Sequence, residues 1–288
     1  MIQVIPTSFT ETYELNNGVR IPCIGFGTYK TPADDTCRAV LEAIDAGYRL
    51  IDTASFYGNE SGVGKAVRTC GLPREDIFVT SKVWNTDRGY DKTLASFDRT
   101  MDALGLDYLD LFLIHWPASL KAYGERAKEI NRDTWRALEK LYNDGRVKAI
   151  GLSNFLPHHI DEIMETESIK PMVNQIEFHP GWAQLSISDY CIRNGIAVEA
   201  WSPFARAAVL ENETLVRTGI KYGKTSSQVT LRWIMQHGII PLPKSVHRER
   251  MDSNLDSFDF MLNDQEMAEI DALKNLGGKC AMPDEMDD

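Results

Sequence analysis

Short apolar runs rich in β-branched residues alternate along the chain with longer stretches whose apolar side chains recur three and four positions apart. The first pattern predicts buried strands and the second amphipathic helices. Strands are expected at residues 24–25, 49–52, 78–82, 109–115, 147–151, 172–177, 197–201 and 239–243. Helices between them include residues 36–46, 94–104, 135–142 and 229–236. Glycines such as Gly105 and Gly195 follow the helical stretches, where a left-handed cap is easiest without a Cβ. A strand-then-helix unit repeated about eight times predicts an α/β fold, a closed (β/α)8 TIM barrel. An open doubly wound sheet is the rival, but it usually has fewer strands and an early glycine-rich phosphate loop. Residues 13–21 read as a β-hairpin around Asn17-Gly18, a plug for the N-terminal mouth of the barrel. Beyond Pro243, helical stretches at 248–255 and 264–274 form a C-terminal extension that runs into an acidic tail.

Composition narrows the picture. A chain of 288 residues could hold two domains, but no Pro/Gly/Ser-rich linker divides it, so one domain over 1–288 is expected. Acidic residues number 42 against 31 basic ones, a formal charge of −11, which disfavours non-specific contact with nucleic acid or anionic membrane. The most apolar window, 109–116, is less than half of the ~18 residues that a membrane span needs. The first residues lack a cationic start and apolar core, so no secretory signal is expected. Five scattered cysteines without a C-x-x-C pair read as reduced thiols of a cytoplasmic protein. His158-His159 looks like a metal pair, but adjacent helix positions diverge and no carboxylate completes the set, so no metal is expected.

Barrel enzymes carry their chemistry at the C-terminal ends of the strands. Asp52 and Tyr57 follow the second strand, Lys82 ends the third and His115 ends the fourth. A phenol, with an intrinsic pKa of about 10, protonates an alkoxide poorly at neutral pH unless a nearby ammonium stabilises the phenolate. A carboxylate would hold that ammonium, and an imidazole could orient a carbonyl oxygen or relay a proton. Taken singly, these residues also fit a turn cap, a structural ion pair, a packing tyrosine and a satisfied buried histidine. Lys82 at a strand end is also compatible with a lysine-imine enzyme such as an aldolase.

The motifs Ile21-Pro22-Cys23-Ile24-Gly25-Phe26-Gly27-Thr28-Tyr29 and Ala46-Gly47-Tyr48-Arg49-Leu50-Ile51-Asp52-Thr53-Ala54 resemble those of the aldo-keto reductases. So do Tyr57-Gly58-Asn59-Glu60, Ser81-Lys82-Val83-Trp84, Gly151-Leu152-Ser153-Asn154-Phe155 and Pro243-Lys244-Ser245. The resemblance covers essentially the whole chain and is nearest to microbial diketogluconate and glyoxal reductases and to trypanosomatid prostaglandin F synthases. It implies a catalytic tetrad of Asp52, Tyr57, Lys82 and His115, with Tyr57 as general acid in NADPH-dependent reduction of a small carbonyl compound. A non-catalytic, cofactor-sensing subunit is the other role known among such proteins. A monomer is expected.

Neither standard nucleotide motif is complete. Lys30 stands where a dinucleotide fingerprint needs its third glycine, and Thr218 where a P-loop ending at Gly223-Lys224-Thr225 needs its first. The better anion site is Lys244, Ser245 and Arg250, after the last strand and at the start of a helix. By resemblance these residues hold the adenosine 2′-phosphate of NADPH/NADP+, with Val246 and Asn254 beside them. Ser253 departs from the Glu that many relatives carry. The resemblance also assigns Gly27, Thr28, Asp52, Ser153, Asn154, Gln175, Trp201 and Ser202 to the cofactor, with Trp201 stacking on the nicotinamide. Tyr29, Trp84, His115 and Trp116, with Phe26 as a further candidate, would wall the substrate. A short 204–208 loop points to small polar aldehydes and dicarbonyls, and the segments 118–132 and 277–288 would tune selectivity.

Overall fold

The computed structural model describes residues 4–166, 168–276 and 280–286. A two-stranded antiparallel hairpin, β1 (Thr12–Glu14) and β2 (Arg20–Pro22), comes first, with Tyr13 opposite Ile21. Eight parallel strands follow in sequence order: β3 (Phe26–Gly27), β4 (Leu50–Asp52), β5 (Phe78–Val83), β6 (Leu109–Ile114), β7 (Val147–Ser153), β8 (Val173–Glu177), β9 (Ala197–Trp201) and β10 (Ile240–Pro241). Gly25 N–H donates to Pro241 O and Gly27 N–H to Pro243 O, each at 3.0 Å, so the first and last strands meet and the ring closes. The contact is close: a Cβ on Gly25 would lie 2.5 Å from a Leu242 methyl carbon.

Three strands differ from the pattern-based expectation by two residues or more; one of them, β7, simply runs on to Ser153, past its expected end at residue 151. The first strand pairs with β4 from Phe26 onward, two residues beyond the predicted position, while Gly25 before it bonds to the last strand instead. The last is limited to two residues, since Pro241 and Pro243 lack the N–H that a longer ladder needs. Their carbonyls still accept from Gly25 and Gly27.

Helices cover the outside of the sheet with one apolar stripe turned inward. In Arg126–Asn143, for example, Trp135, Leu138 and Leu141 are buried while Arg136 and Lys140 face water. Each such apolar side chain contributes about 1.5–3 kcal/mol by leaving water. The C-terminal extension contains Arg248–Leu255, as the pattern predicts, and Asp264–Asp271, which is shorter than expected. At its start Asn263 and Glu266 cap each other's backbone amides. The hairpin plugs the N-terminal mouth: Asn16 Nδ2 donates to Pro171 O and Gly195 O, and Asn17 Nδ2 to Lys148 O. Among the described residues no helix is long and apolar enough to cross a membrane.

Candidate active site

β4, β5 and β6 bring Asp52, Lys82 and, one residue past its strand, His115 to one end of the barrel. A 3-10 turn, Ser55–Tyr57, sets Tyr57 over them. Lys82 is fully buried. Its ammonium lies 2.8 and 2.7 Å from the two carboxylate oxygens of Asp52, 2.9 Å from Thr53 O and 3.3 Å from the Tyr57 hydroxyl. Desolvation pulls the Lys82 pKa down, but Asp52 and then Tyr57 outweigh it, and the net direction is upward. The group is therefore a fixed cation.

The spacing alone predicts that Lys82 lowers the Tyr57 pKa. The ammonium acts in that direction, yet burial is the larger effect and pushes the phenol up to about 12. His115 is buried with its ring edge-on to Tyr57 and Trp84, at centroid separations of 5.7 and 4.9 Å. Its Nδ1 has no hydrogen-bond partner among the described residues. Desolvation, then the charges of Lys82 and Arg88, holds its pKa well below the usual value. It is a neutral imidazole at physiological pH.

The ends of β7, β8 and β9 form a second polar group. Trp201 Nε1 donates to Asn154 Oδ1 at 2.9 Å, and Asn154 Nδ2 donates to His115 O and Ser153 Oγ. The Ser153 hydroxyl donates to Gln175 O, while Gln175 Nε2 reaches both Asp52 and Glu199. The structure thus joins Ser153, Asn154, Gln175 and Trp201 to the Asp52–Lys82 pair in one network.

The expected cofactor residues occupy the rim beside it. Gly27 is fixed on Pro243 O, and both the N–H and the hydroxyl of Thr28 donate to Asp52 O. Ser202 begins the loop after β9 with φ +55°. Ser245 is buried, its hydroxyl accepting the His247 N–H, and Val246 is half-buried. Lys244 and Arg250 are exposed and make no ion pair among the described residues, whereas Arg248 between them pairs with Asp45 and Asp252. Two uncommitted cations at the start of Arg248–Leu255, on a chain of charge −11, suit an anionic group such as phosphate. Asn254 lies on the last turn of that helix, almost wholly buried beside Tyr48.

Aromatic side chains frame the mouth. Tyr29 is exposed with its ring 5.0 Å from that of Tyr57. Trp84 is stacked at 3.8 Å on Phe56, which is half exposed. Sequence reasoning left Phe56 out of the pocket, although its place next to Tyr57 was a usable signal. Phe26, by contrast, is a core residue packed edge-to-face on Tyr48. Trp116, Asn154 and Trp201 line a cleft beside the tetrad, and residues 280–283 of the tail form part of its wall. Residues 277–279 and 287–288 of that expected selectivity segment lie outside the described residues. The guanidinium of Arg88, also missed, holds the 118–132 segment at its root by donating to Trp116 O and Pro117 O.

The His158-His159 reading needs correction: a carboxylate does complete the set. Asp284 Oδ1 lies 3.1 Å from His158 Nε2 and 3.0 Å from His159 Nε2. His159 Nδ1, however, accepts the Leu156 N–H, so the ring proton of the neutral form sits on Nε2 and points at Asp284. That arrangement clamps the tail, which is also held by the Ser119 hydroxyl on Met286 O.

A closed barrel with a buried ion pair, a phenol and a neutral imidazole at one mouth, and exposed cations on its rim, has the make-up of a barrel enzyme. The chain belongs to the aldo/keto reductase family, whose sequence profile matches residues 23–275. It is 47% identical over 283 residues to a glyoxal reductase of Bacillus subtilis (strain 168), covering 98% of this chain and 99% of that one. It is 46% identical to a 9,11-endoperoxide prostaglandin H2 reductase of Trypanosoma cruzi (strain CL Brener), over 92% of this chain and 93% of the relative. Among solved structures, a mutant of Gox0644 in complex with NADPH superimposes with a TM-score of 0.89 at 37% identity, over 96% of this chain and 99% of that one.

Proposed function

We propose that this chain reduces small aldehydes and dicarbonyl compounds to alcohols with NADPH, Tyr57 acting as the general acid. The observation that carries this reading is the Lys82 ammonium seated between both oxygens of Asp52 and the Tyr57 hydroxyl. Once the phenol gives its proton to the substrate oxygen, the phenolate faces a cation that cannot move away. The neutral His115 is placed to hold the carbonyl oxygen against Tyr57 by hydrogen bonding.

NADPH supplies the hydride when bound. Lys244, Ser245 and Arg250 would hold its 2′-phosphate, and Ser153, Asn154, Gln175 and Trp201 its nicotinamide end. The relatives support the cofactor and the substrate class: one was solved with NADPH and another is a glyoxal reductase. A lysine-imine mechanism needs a neutral amine, and the carboxylate of Asp52 keeps Lys82 charged. The test is consumption of NADPH, followed by absorbance, against a panel of aldehydes, dicarbonyls and ketones ranked by kcat/KM. Turnover with aldehydes and dicarbonyls above ketones, and with NADPH above NADH, is expected. Tight NADPH binding without turnover of any of them would contradict the proposal.

A further inference from the structure

Beneath the tetrad lies an ionisable side chain for which the proposed reaction has no use. Glu199, in β9, is completely buried inside the barrel. Its Oε2 accepts from Gln175 Nε2 at 2.8 Å, and the same nitrogen donates to Asp52 Oδ2 at 2.9 Å. Two carboxyl groups thus share one amide, while the Lys82 ammonium bonds only to Asp52 of the two. Glu199 Oε1 has no hydrogen-bond partner among the described residues. The charged groups facing Glu199 are Asp52 of β4 and Lys82 of β5; β8 contributes Gln175, and β10 sets Ile240 opposite it.

A buried charge is tolerated when paired, and there is one cation here for two carboxyls. Asp52 takes it. Glu199 is left as the neutral partner, its pKa raised to about 8 by burial and then by Asp52. We propose that Glu199 is a positioning residue that works as a neutral carboxyl: it supports Gln175 against Asp52, and loss of its proton opposes the phenolate that forms on Tyr57. This inference rests on the reading of Tyr57 as the acid. In that step the phenolic O–H bond breaks, an O–H bond forms on the substrate oxygen, and Tyr57 becomes negative. With Glu199 neutral, the charges of Tyr57, Asp52 and Lys82 sum to minus one. With Glu199 ionised they sum to minus two in the same water-poor space, and proton donation becomes harder.

The consequence is an alkaline limb in the pH profile that belongs to Glu199 and not to Tyr57. In the wild type, kcat/KM for carbonyl reduction at saturating NADPH should fall as pH rises through about 8. In Glu199→Gln, which cannot ionise, that limb should move upward by at least about one pH unit, whereas Glu199→Asp should keep a limb near its original place. A second readout needs no cofactor. A carboxyl whose folded-state pKa lies above its unfolded value loses stabilisation as pH rises from about 4.5 to about 8. The thermal midpoint of the cofactor-free wild type should therefore decline over that interval relative to Glu199→Gln.

An unchanged limb in Glu199→Gln, together with a constant difference in midpoint, overturns the inference. If the wild type reduces no carbonyl compound, the functional reading fails, and the midpoint series still decides the charge of Glu199. Should Glu199→Gln not fold, infrared spectroscopy of a Glu60→Gln background decides the point, since Glu60 is another buried carboxyl shifted upward. A protonated-carboxyl band at neutral pH that vanishes above about pH 9 supports the assignment. Its absence at neutral pH refutes it.

Discussion

The two ends of the barrel differ in how much backbone strain they carry. Where the strands begin, turns that need positive φ are made by glycines such as Gly105 and Gly195, at +62° and +70°. Where the strands finish, glycines such as Gly58 and Gly89 do so too, but residues with a Cβ also take that conformation: Lys30 after β3, Asn154 after β7, and Ser202, Ala205, Arg206 and Ala207 after β9. The N-terminal mouth is also tied shut, with Asn16 and Asn17 of the hairpin donating to carbonyls just before β8 and β9 and at the second residue of β7. The C-terminal mouth keeps the buried ion pair and, among the described residues, a His115 nitrogen without a hydrogen-bond partner and rim cations without an ion pair. One end is arranged for stability. The other retains strained and unsatisfied groups where a ligand could use them.

This contrast can be challenged experimentally, beginning with the largest effect. Lys82→Met leaves the buried Asp52 carboxylate without its cation and should cost about 3–5 kcal/mol of stability at neutral pH, read from the denaturant midpoint. A loss below about 1 kcal/mol would mean that the pair behaves like a surface salt bridge. The rim cations should behave differently. Lys244→Ala with Arg250→Ala should weaken NADPH binding about 10–100-fold, through lost charge-assisted hydrogen bonds worth about 1.5–3 kcal/mol. Stability and NADH binding should hardly change. Equal losses for the two cofactors in titration would remove the 2′-phosphate from the account.

Smaller effects separate the two kinds of turn. Gly195→Ala forces a Cβ into the left-handed region and should destabilise by about 1–2 kcal/mol in a denaturant series, although no atom lies within 4 Å of that Cβ. Ala207→Gly should do the reverse and stabilise by up to about 1 kcal/mol, the relief of strain being offset in part by the flexibility of glycine when unfolded. If Ala207→Gly destabilises the protein, the loop is not strained and the contrast between the ends weakens.

What the sequence made legible follows the same division. The order of strands and helices was readable because apolar periodicity reflects burial, and Asp52, Lys82 and His115 could be placed because strand ends fix their positions. The first and last strands, which were misplaced or overextended, lie at the ring closure, where glycines and prolines carry little periodic signal. Glu199 escaped notice because an alternating strand pattern does not say which inward-facing carboxyl will share an amide with Asp52. Asp284 escaped for a similar reason, being far in sequence from the two histidines it clamps. Contacts that depend on long-range closure were the illegible part.

The central claim is that the C-terminal mouth donates a proton from Tyr57 to a reduced carbonyl. The most direct measurement is single-turnover NADPH oxidation with glyoxal by Tyr57→Phe, alongside NADPH binding by fluorescence. Binding should match the wild type while the rate falls by about 10²–10⁴-fold, the range for loss of a general acid. A rate within about threefold of the wild type, with binding intact, would contradict the account.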